Sequence, residues 1–231
     1  MKAFLKVVCL VVLILLSIAL LFVGNGYSMY KEAIENIPLE DKVEQIQEKE
    51  NYTELPELPQ IYLDAVISVE DHRFYQHPGI DIIAIGRAFI NDIKAMSYVE
   101  GGSTITQQLA KNIYFTQEKK MTRKIAEMFM AFKIERNLSK EEILELYLNT
   151  SYFGNGYDTV KEASRGYFGK NPNEMTDGEC VMLAGIPNAP SVYAPTVNPG
   201  LAKQRQKQVL NKMVKYEYLT QEEADKIFEE E

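Results

Sequence analysis

The chain has 231 residues, 46% hydrophobic and 25% charged, the composition of a folded protein long enough to bury a self-sufficient core. A net charge of −8 argues against a nucleic-acid-binding protein, and two cysteines and two histidines are too few for a disulfide framework or a four-cysteine zinc module. No internal repeat is visible, which sets a solenoid aside.

The first predicted element is apolar. Between residues 7 and 23 only Ser17 interrupts the hydrophobic side chains, and a helix of that length spans about 26 Å against a hydrocarbon layer of about 30 Å. Phe4 and Leu5 lengthen it if Lys6 snorkels to the interface. A cleaved signal peptide carries a shorter apolar stretch of about 7–15 residues ending at a small-x-small site, for which Gly26-Tyr27-Ser28 is a weak candidate. An uncleaved transmembrane anchor over 7–26 fits the length better. Lys2 and Lys6 place the tail, residues 1–6, in the cytoplasm. The rest then lies on the outer face of the cytoplasmic membrane. Cys9, inside the span, and Cys180 read as ordinary apolar positions.

Residues 27–55 are polar and rich in glutamate, and read as a juxtamembrane helix and linker. Pro56 and Pro59 open a domain over 56–231. Helices are expected over 61–69 and 82–93. Further helices start at the capping boxes of Ser139 with Glu142, Thr176 with Glu179 and Thr220 with Glu223. Four prolines between 186 and 200 predict an irregular segment, and alternating β-branched runs are scarce. The fold class is mostly α.

Four segments carry chemistry. Glu70-Asp71-His72-Arg73-Phe74-Tyr75-Gln76-His77-Pro78-Gly79 crowds ionisable groups at a helix end. A carboxylate desolvated there by Phe74 and Tyr75 would serve as a general base, whereas a solvated turn with a local ion pair is the plainer reading. Gly101-Gly102-Ser103-Thr104 leads through Ser103, the expected N-cap, into a helix whose Thr104, Gln107, Gln108 and Lys111 share one face. That polar wall suits sugar hydroxyls or phosphate oxygens. Arg123-Lys124-Ile125-Ala126-Glu127 is either a surface ion pair or two cations for a diphosphate beside a second carboxylate. Lys140-Glu141-Glu142-Ile143-Leu144-Glu145-Leu146-Tyr147-Leu148-Asn149 is an amphipathic helix closed by Asn149. From Lys111 to Arg136 seven basic residues meet three acids, in a chain that is otherwise acidic. That surplus is a solvated face, a membrane-facing patch or a phosphate-binding one.

Taken in order, these segments resemble the motifs E-D-x-x-F-x-x-H-x-G, G-x-S-T-I-T-Q-Q-L-x-K-N, R-K-x-x-E and K-x-x-I-x-E-x-Y-L-N of the family 51 peptidoglycan glycosyltransferases. That domain occurs in class A penicillin-binding proteins and in monofunctional transglycosylases. The resemblance covers roughly residues 56–215, with departures at Gly166 and at Gly178-Glu179-Cys180. It implies a lysozyme-like helical lobe and a small membrane-proximal lobe behind the anchor. The stretch from Ala88, Phe89 and Ile90 to Val99, and Met128-Phe129-Met130, are candidates for membrane contact.

The implied reaction is polymerisation of lipid II into β-1,4-linked glycan strands, with inversion and release of polyprenyl diphosphate. By resemblance Glu70 is the general base and Glu127 the second essential carboxylate, and Lys111, Arg123 and Lys124 face the diphosphate. Ser103, Thr104, Gln108 and Asn112 would line the groove, while Asp71 and His77 would hold the first motif in shape. No cofactor is required. Some family members respond to divalent cations, and no metal-ligand cluster is visible in the sequence. Expected partners are lipid II, the growing strand, membrane lipid and proteins of cell-wall synthesis or division, not nucleic acid. About 30 residues follow Gly200 without a Lys-Thr-Gly, and Ser28-Met29-Tyr30-Lys31 lacks its partner motifs, so the chain is read as either a monofunctional enzyme or the front of a longer one, with the acidic helical end from Glu222 to Glu231 favouring the former. The rival classes are a lysozyme-type glycan-cleaving enzyme and a non-catalytic, membrane-tethered scaffold.

Overall fold

The computed structural model describes residues 2–95, 101–115 and 120–230. Its helices are α1 (Lys2–Asn36), α2 (Leu39–Gln47), α3 (Gln60–Glu70), α4 (Ile82–Ala95), α5 (Ile105–Tyr114), α6 (Met121–Asn137), α7 (Lys140–Leu148), α8 (Val160–Phe168), α9 (Asp177–Gly185), α10 (Pro190–Tyr193), α11 (Pro199–Lys215) and α12 (Gln221–Glu229). There is no strand among the described residues, so the mostly α fold class holds. Among them α1 is the one helix long and apolar enough to cross a membrane.

Two packing centres position everything else. In the first, α9 lies against α3 and α11. Cys180, Val181, Leu183 and Ala184 are fully buried there, facing Tyr62, Val66 and Val209 of the same core. In the second, α5 packs between α6 and α7, with Ile105, Leu109, Met130, Ile134, Ile143 and Leu146 almost inaccessible. Each such side chain contributes about 1.5–3 kcal/mol by leaving water. Helix starts follow the expected capping boxes at Ser139, Thr176 and Thr220. The segment expected to be irregular contains short helical turns instead. Pro187, Pro190 and Pro199 stand in the first turns of helical elements, where a missing N–H costs no bond and the fixed φ is already helical.

Residues 27–55 differ from their reading as a linker. Helix α1 continues unbroken to Asn36 and lies along α6. A Cβ at Gly26 would stand 2.6 Å from Ile125 Cγ2, and the rings of Tyr27 and Tyr30 meet Phe129 at 5.3 and 6.0 Å. Leu39 and Ile46 of α2 are buried in the core, with Val43 packed beside them. Asn149, capping α7, accepts from Thr53 N–H at 2.9 Å and donates to its carbonyl at 2.8 Å. Leu39, Val43 and Ile46 do recur at helical spacing. Three apolar positions among glutamates are too sparse a stripe to stand out.

The expected membrane-contact residues also separate. Phe129 faces the anchor, Met130 is fully buried, and Ala88 is buried. The exposed apolar side chains of α4 are Ile82, Ile83, Ile85 and Ile90. Val99 lies outside the described residues, as does the Phe89 side chain. The departures noted in the last motif region are accommodated locally. At Gly166 the Tyr157 ring occupies the space a side chain would fill, 2.1 Å from a Cβ. The Gly178 carbonyl accepts from buried Gln206 at 2.9 Å.

Candidate active site

A cleft of about 1010 Å³ runs between the two packing centres, with Glu70, Ser103, Gln108, Lys111, Lys124 and Glu127 among its lining residues. Glu70 is the last residue of α3. A carboxylate there meets the negative end of the helix dipole, so its placement is not one that helix stability selects. Oε2 of Glu70 accepts from Gln108 Nε2 at 2.7 Å. Oε1 is buried without a hydrogen-bond partner among the described residues. An unpaired buried carboxylate oxygen at the wall of a cleft is a proton acceptor awaiting a donor. The amide that holds the other oxygen is itself approached at 3.4 Å by the hydroxyl of fully buried Tyr147.

The desolvation expected from Phe74 and Tyr75 is not how Glu70 is housed. Phe74 is fully buried beneath the Lys140 ammonium, 4.5 Å from the ring centroid, and Tyr75 is exposed. The charges acting on Tyr75 are Glu141 and Asp64. Gln108 and Tyr147 are the neighbours of the Glu70 carboxylate instead.

Glu127 sits in the second turn of α6 and is 1% exposed. It is paired with Arg123 Nη1, and Lys124 Nζ reaches its Oε2 at 2.8 Å. A carboxylate this buried is held by two cations, not by a marginal surface pair. Lys124 also donates to Ser103 Oγ at 2.7 Å, tying the loop before α5 to α6. Lys111 completes the cationic wall. Burial lowers its pKa, as do the charges of Lys124 and Arg123, against the opposing pull of Glu127 and Glu70. Within the basic stretch these three cations face the cleft while Arg136 is exposed, and Lys119 lies outside the described residues.

Ser103 is not the N-cap. Thr104 caps α5 and forms the capping box with Gln107, and its hydroxyl donates to the Gly79 carbonyl at 2.6 Å. Thr104 is therefore buried structure, and neither it nor Asn112 is among the residues lining the cleft. Asp71 and His77 do not line it either. Gly79 N–H donates to His77 Nδ1 at 3.2 Å, which leaves Nε2 to donate to Asp71 at 3.0 Å. Asp71 Oδ2 also accepts from Ile105 N–H at 3.1 Å. This bridge joins the end of α3, which carries Glu70, to the start of α5, which carries Gln108.

Asp71, His77 and Asp81 bring three ligand-type atoms within 4.8 Å of one another, a cluster the sequence did not reveal. They do not fit a cation. Asp81 is paired with the Arg73 guanidinium and caps α4 at Ala84 N–H, and the Asp71 oxygens are taken as described.

Further lining residues were not singled out in the sequence. Arg87, Arg205 and Lys212 bring cations to another part of the cleft, and His72 stacks on Tyr216 at 4.0 Å. Burial lowers the His72 pKa, and the nearby Arg87 and Arg73 charges lower it further. The signal available was the spacing of Arg205 and Lys212. Seven residues apart, they share one face of α11.

The chain matches the family described as Transglycosylase over residues 39–214. It is 44% identical over 185 residues to penicillin-binding protein 1A of Neisseria flavescens, covering 80% of this chain and 23% of that protein. It is 43% identical over 183 residues to penicillin-binding protein 2D of Bacillus subtilis, covering 79% and 26%. The crystal structure of penicillin-binding protein 1A from Haemophilus influenzae aligns over 78% of this chain and 17% of its own, at 24% identity and a TM-score of 0.47. The chain belongs to the transglycosylase family. It spans about a quarter of the length of the curated relatives it matches.

Proposed function

We propose that this enzyme polymerises lipid II on the outer face of the cytoplasmic membrane, anchored by α1 with its N-terminus in the cytoplasm. The sugar 4-hydroxyl of the acceptor attacks the anomeric carbon of the lipid-linked donor, and its proton passes to Glu70 Oε1. The bond from that carbon to the diphosphate breaks with inversion, and polyprenyl diphosphate leaves. Lys111, Arg123 and Lys124 take up the charge that develops on the leaving oxygens, an electrostatic contribution that grows toward the transition state. Glu127 fixes Arg123 and Lys124 in place for that task.

The observation that carries this reading is the pairing of an unpartnered buried Glu70 oxygen with a cationic wall in one cleft. A hydrolase of neutral glycan needs the carboxylates but not the cations.

The test is incubation of the purified full chain with labelled lipid II in detergent. Wild type should give a ladder of glycan strands, lost by at least ~10²-fold in Glu70→Gln and strongly reduced in Glu127→Gln. Shortening of preformed glycan would move the chain to the hydrolases, and lipid II bound without turnover would make it a scaffold. Addition of EDTA, then Mg²⁺ or Mn²⁺, tests the divalent-cation response of the same ladder.

A further inference from the structure

Helix α7, the fourth of the sequence segments, supplies none of the residues that the proposed reaction uses, yet one of its side chains reaches the base through a single intermediary. Two of its polar groups serve the segment before α3. Glu145 accepts from Leu55 N–H at 2.6 Å and from the Tyr52 hydroxyl, and Asn149 holds Thr53. Tyr147, between them in sequence, is turned toward α5 instead. The end of the helix is pinned around it. The Ser151 hydroxyl donates to the Tyr147 carbonyl at 2.6 Å, and the Thr150 hydroxyl to the Leu146 carbonyl at 2.7 Å. The ring is 1% exposed, so the phenol cannot turn to water.

What Tyr147 meets is the Gln108 amide, which is half-buried and lines the cleft. An amide in that setting can present either its N–H or its carbonyl to a neighbour. Against Glu70 Oε2, 2.7 Å away, the carbonyl would set two acceptors face to face. The phenol selects the other orientation from the far side. Burial pushes its pKa well up, and the charge of Glu70 raises it further, so it keeps its proton and acts as a donor. Its acceptor is Gln108 Oε1 at 3.4 Å. An amide whose carbonyl accepts in this way gives its own N–H more strongly. The separation is long for a hydroxyl donor, as is common at active sites before substrate draws the groups together.

We propose that Tyr147 is a positioning residue for the base: through Gln108 it holds Glu70 Oε2, and so leaves the buried Oε1 as the oxygen that takes the acceptor proton. The inference rests on the role of Glu70 in the reaction proposed above. The N–H donated to Oε2 favours the charged carboxylate, so its loss makes the base harder to ionise. Other groups face this end of α3. They are Lys111 of α5, Lys212 of α11, which reaches the Val69 carbonyl at 3.4 Å, and Asp71, whose charge also acts on the phenol. Tyr62 lies on α3 itself, beside Cys180 of α9. All of them stay in place when residue 147 is changed, which assigns any shift to the phenol and the amide.

The test is Tyr147→Phe in the full chain, with lipid II in detergent. Its kcat should fall about tenfold, as the amide becomes free to rotate, with KM kept within about twofold because the cationic wall is intact. The acid limb of the pH–kcat profile should move to higher pH. In a Gln108→Met background the same substitution should change neither quantity further, since the side chain through which it acts is gone. Wild-type kcat and acid limb in Tyr147→Phe, or losses that persist undiminished beside Gln108→Met, would overturn the proposal and leave the ring as packing.

Infrared titration reads the same carboxyl without turnover. The protonated-carboxyl band that disappears in Glu70→Gln belongs to Glu70, and its midpoint should rise in Tyr147→Phe; an unmoved midpoint refutes the assignment. Should that variant not fold, 3-fluorotyrosine incorporated in place of Tyr147 keeps the ring and strengthens the donor. The midpoint should then fall, and its constancy would count equally against the proposal. If wild type formed no glycan from lipid II, the substrate reading would fail on its own account, and the infrared midpoint would still decide the role of Tyr147.

Discussion

Lys111 is the cleft cation whose charge is least secure. Burial is the largest influence on it and favours the neutral amine, reinforced by Lys124 and Arg123. Its pKa therefore lies below the ordinary 10.5, so it loses its proton earlier than a free lysine as pH rises. If it binds diphosphate, the KM for lipid II should climb on the alkaline side before pH 10.5, with kcat affected less. Lys111→Arg keeps its charge throughout that range and should move the alkaline limb upward. A pH–KM profile unaltered by this substitution would remove Lys111 from substrate binding. The residue scale also explains why Glu70 and Glu127 were legible and their surroundings were not. Glu70 at the C-terminal end of α3, and Arg123 and Lys124 in the first turn of α6, each oppose the local helix dipole. Such violations mark functional sites and are visible in one dimension. The Asp71–His77 bridge, the Tyr147–Gln108 approach and the Arg87, Arg205 and Lys212 cations depend on which helices meet, and no local pattern encodes that.

At the scale of elements the decisive contact is α1 against α6. Residues Ile125 and Phe129 face the anchor, while Arg123, Lys124 and Glu127 of the same helix serve the cleft. Gly26 is what lets the two backbones approach. Gly26→Leu places a branched side chain where a Cβ alone would stand 2.6 Å from Ile125, so it should cost about 1–3 kcal/mol through overpacking. Thermal unfolding in detergent should register this as a lowered Tm, and polymerisation should fall because α6 is displaced. Adding Ile125→Ala reopens the space and should recover part of both losses; equal Tm values for the single variant and wild type would show that the helices separate freely. The helices of the domain were readable from capping boxes and apolar periodicity, and α3, α4 and α7 lie within a few residues of their predicted positions. The segment 27–55 was misread because polar composition dominates there, while its few apolar side chains find partners far away in sequence, such as Thr53 on Asn149.

For the whole molecule, the anchor and α4 bear on how the chain would meet a membrane. The exposed isoleucines of α4 at 82, 83, 85 and 90 form an apolar surface on the helix that Gly102 meets, its Cβ position facing Ile85 and Ala88. If that surface contacts lipid, the mouth of the cleft lies at the bilayer, where the proposed substrate with its polyprenyl tail would be met. The sequence contains no tryptophan, so a single one reports its own depth without background. In vesicles containing brominated lipids, Ile83→Trp should be strongly quenched and blue-shifted. A tryptophan at exposed Leu201, on α11, which packs on α3, α9, α10 and α12, should remain unquenched. Both probes unquenched would mean that α1 alone touches the bilayer and the cleft stands clear of it. In that case the lipid tail would have to travel the full height of the anchor.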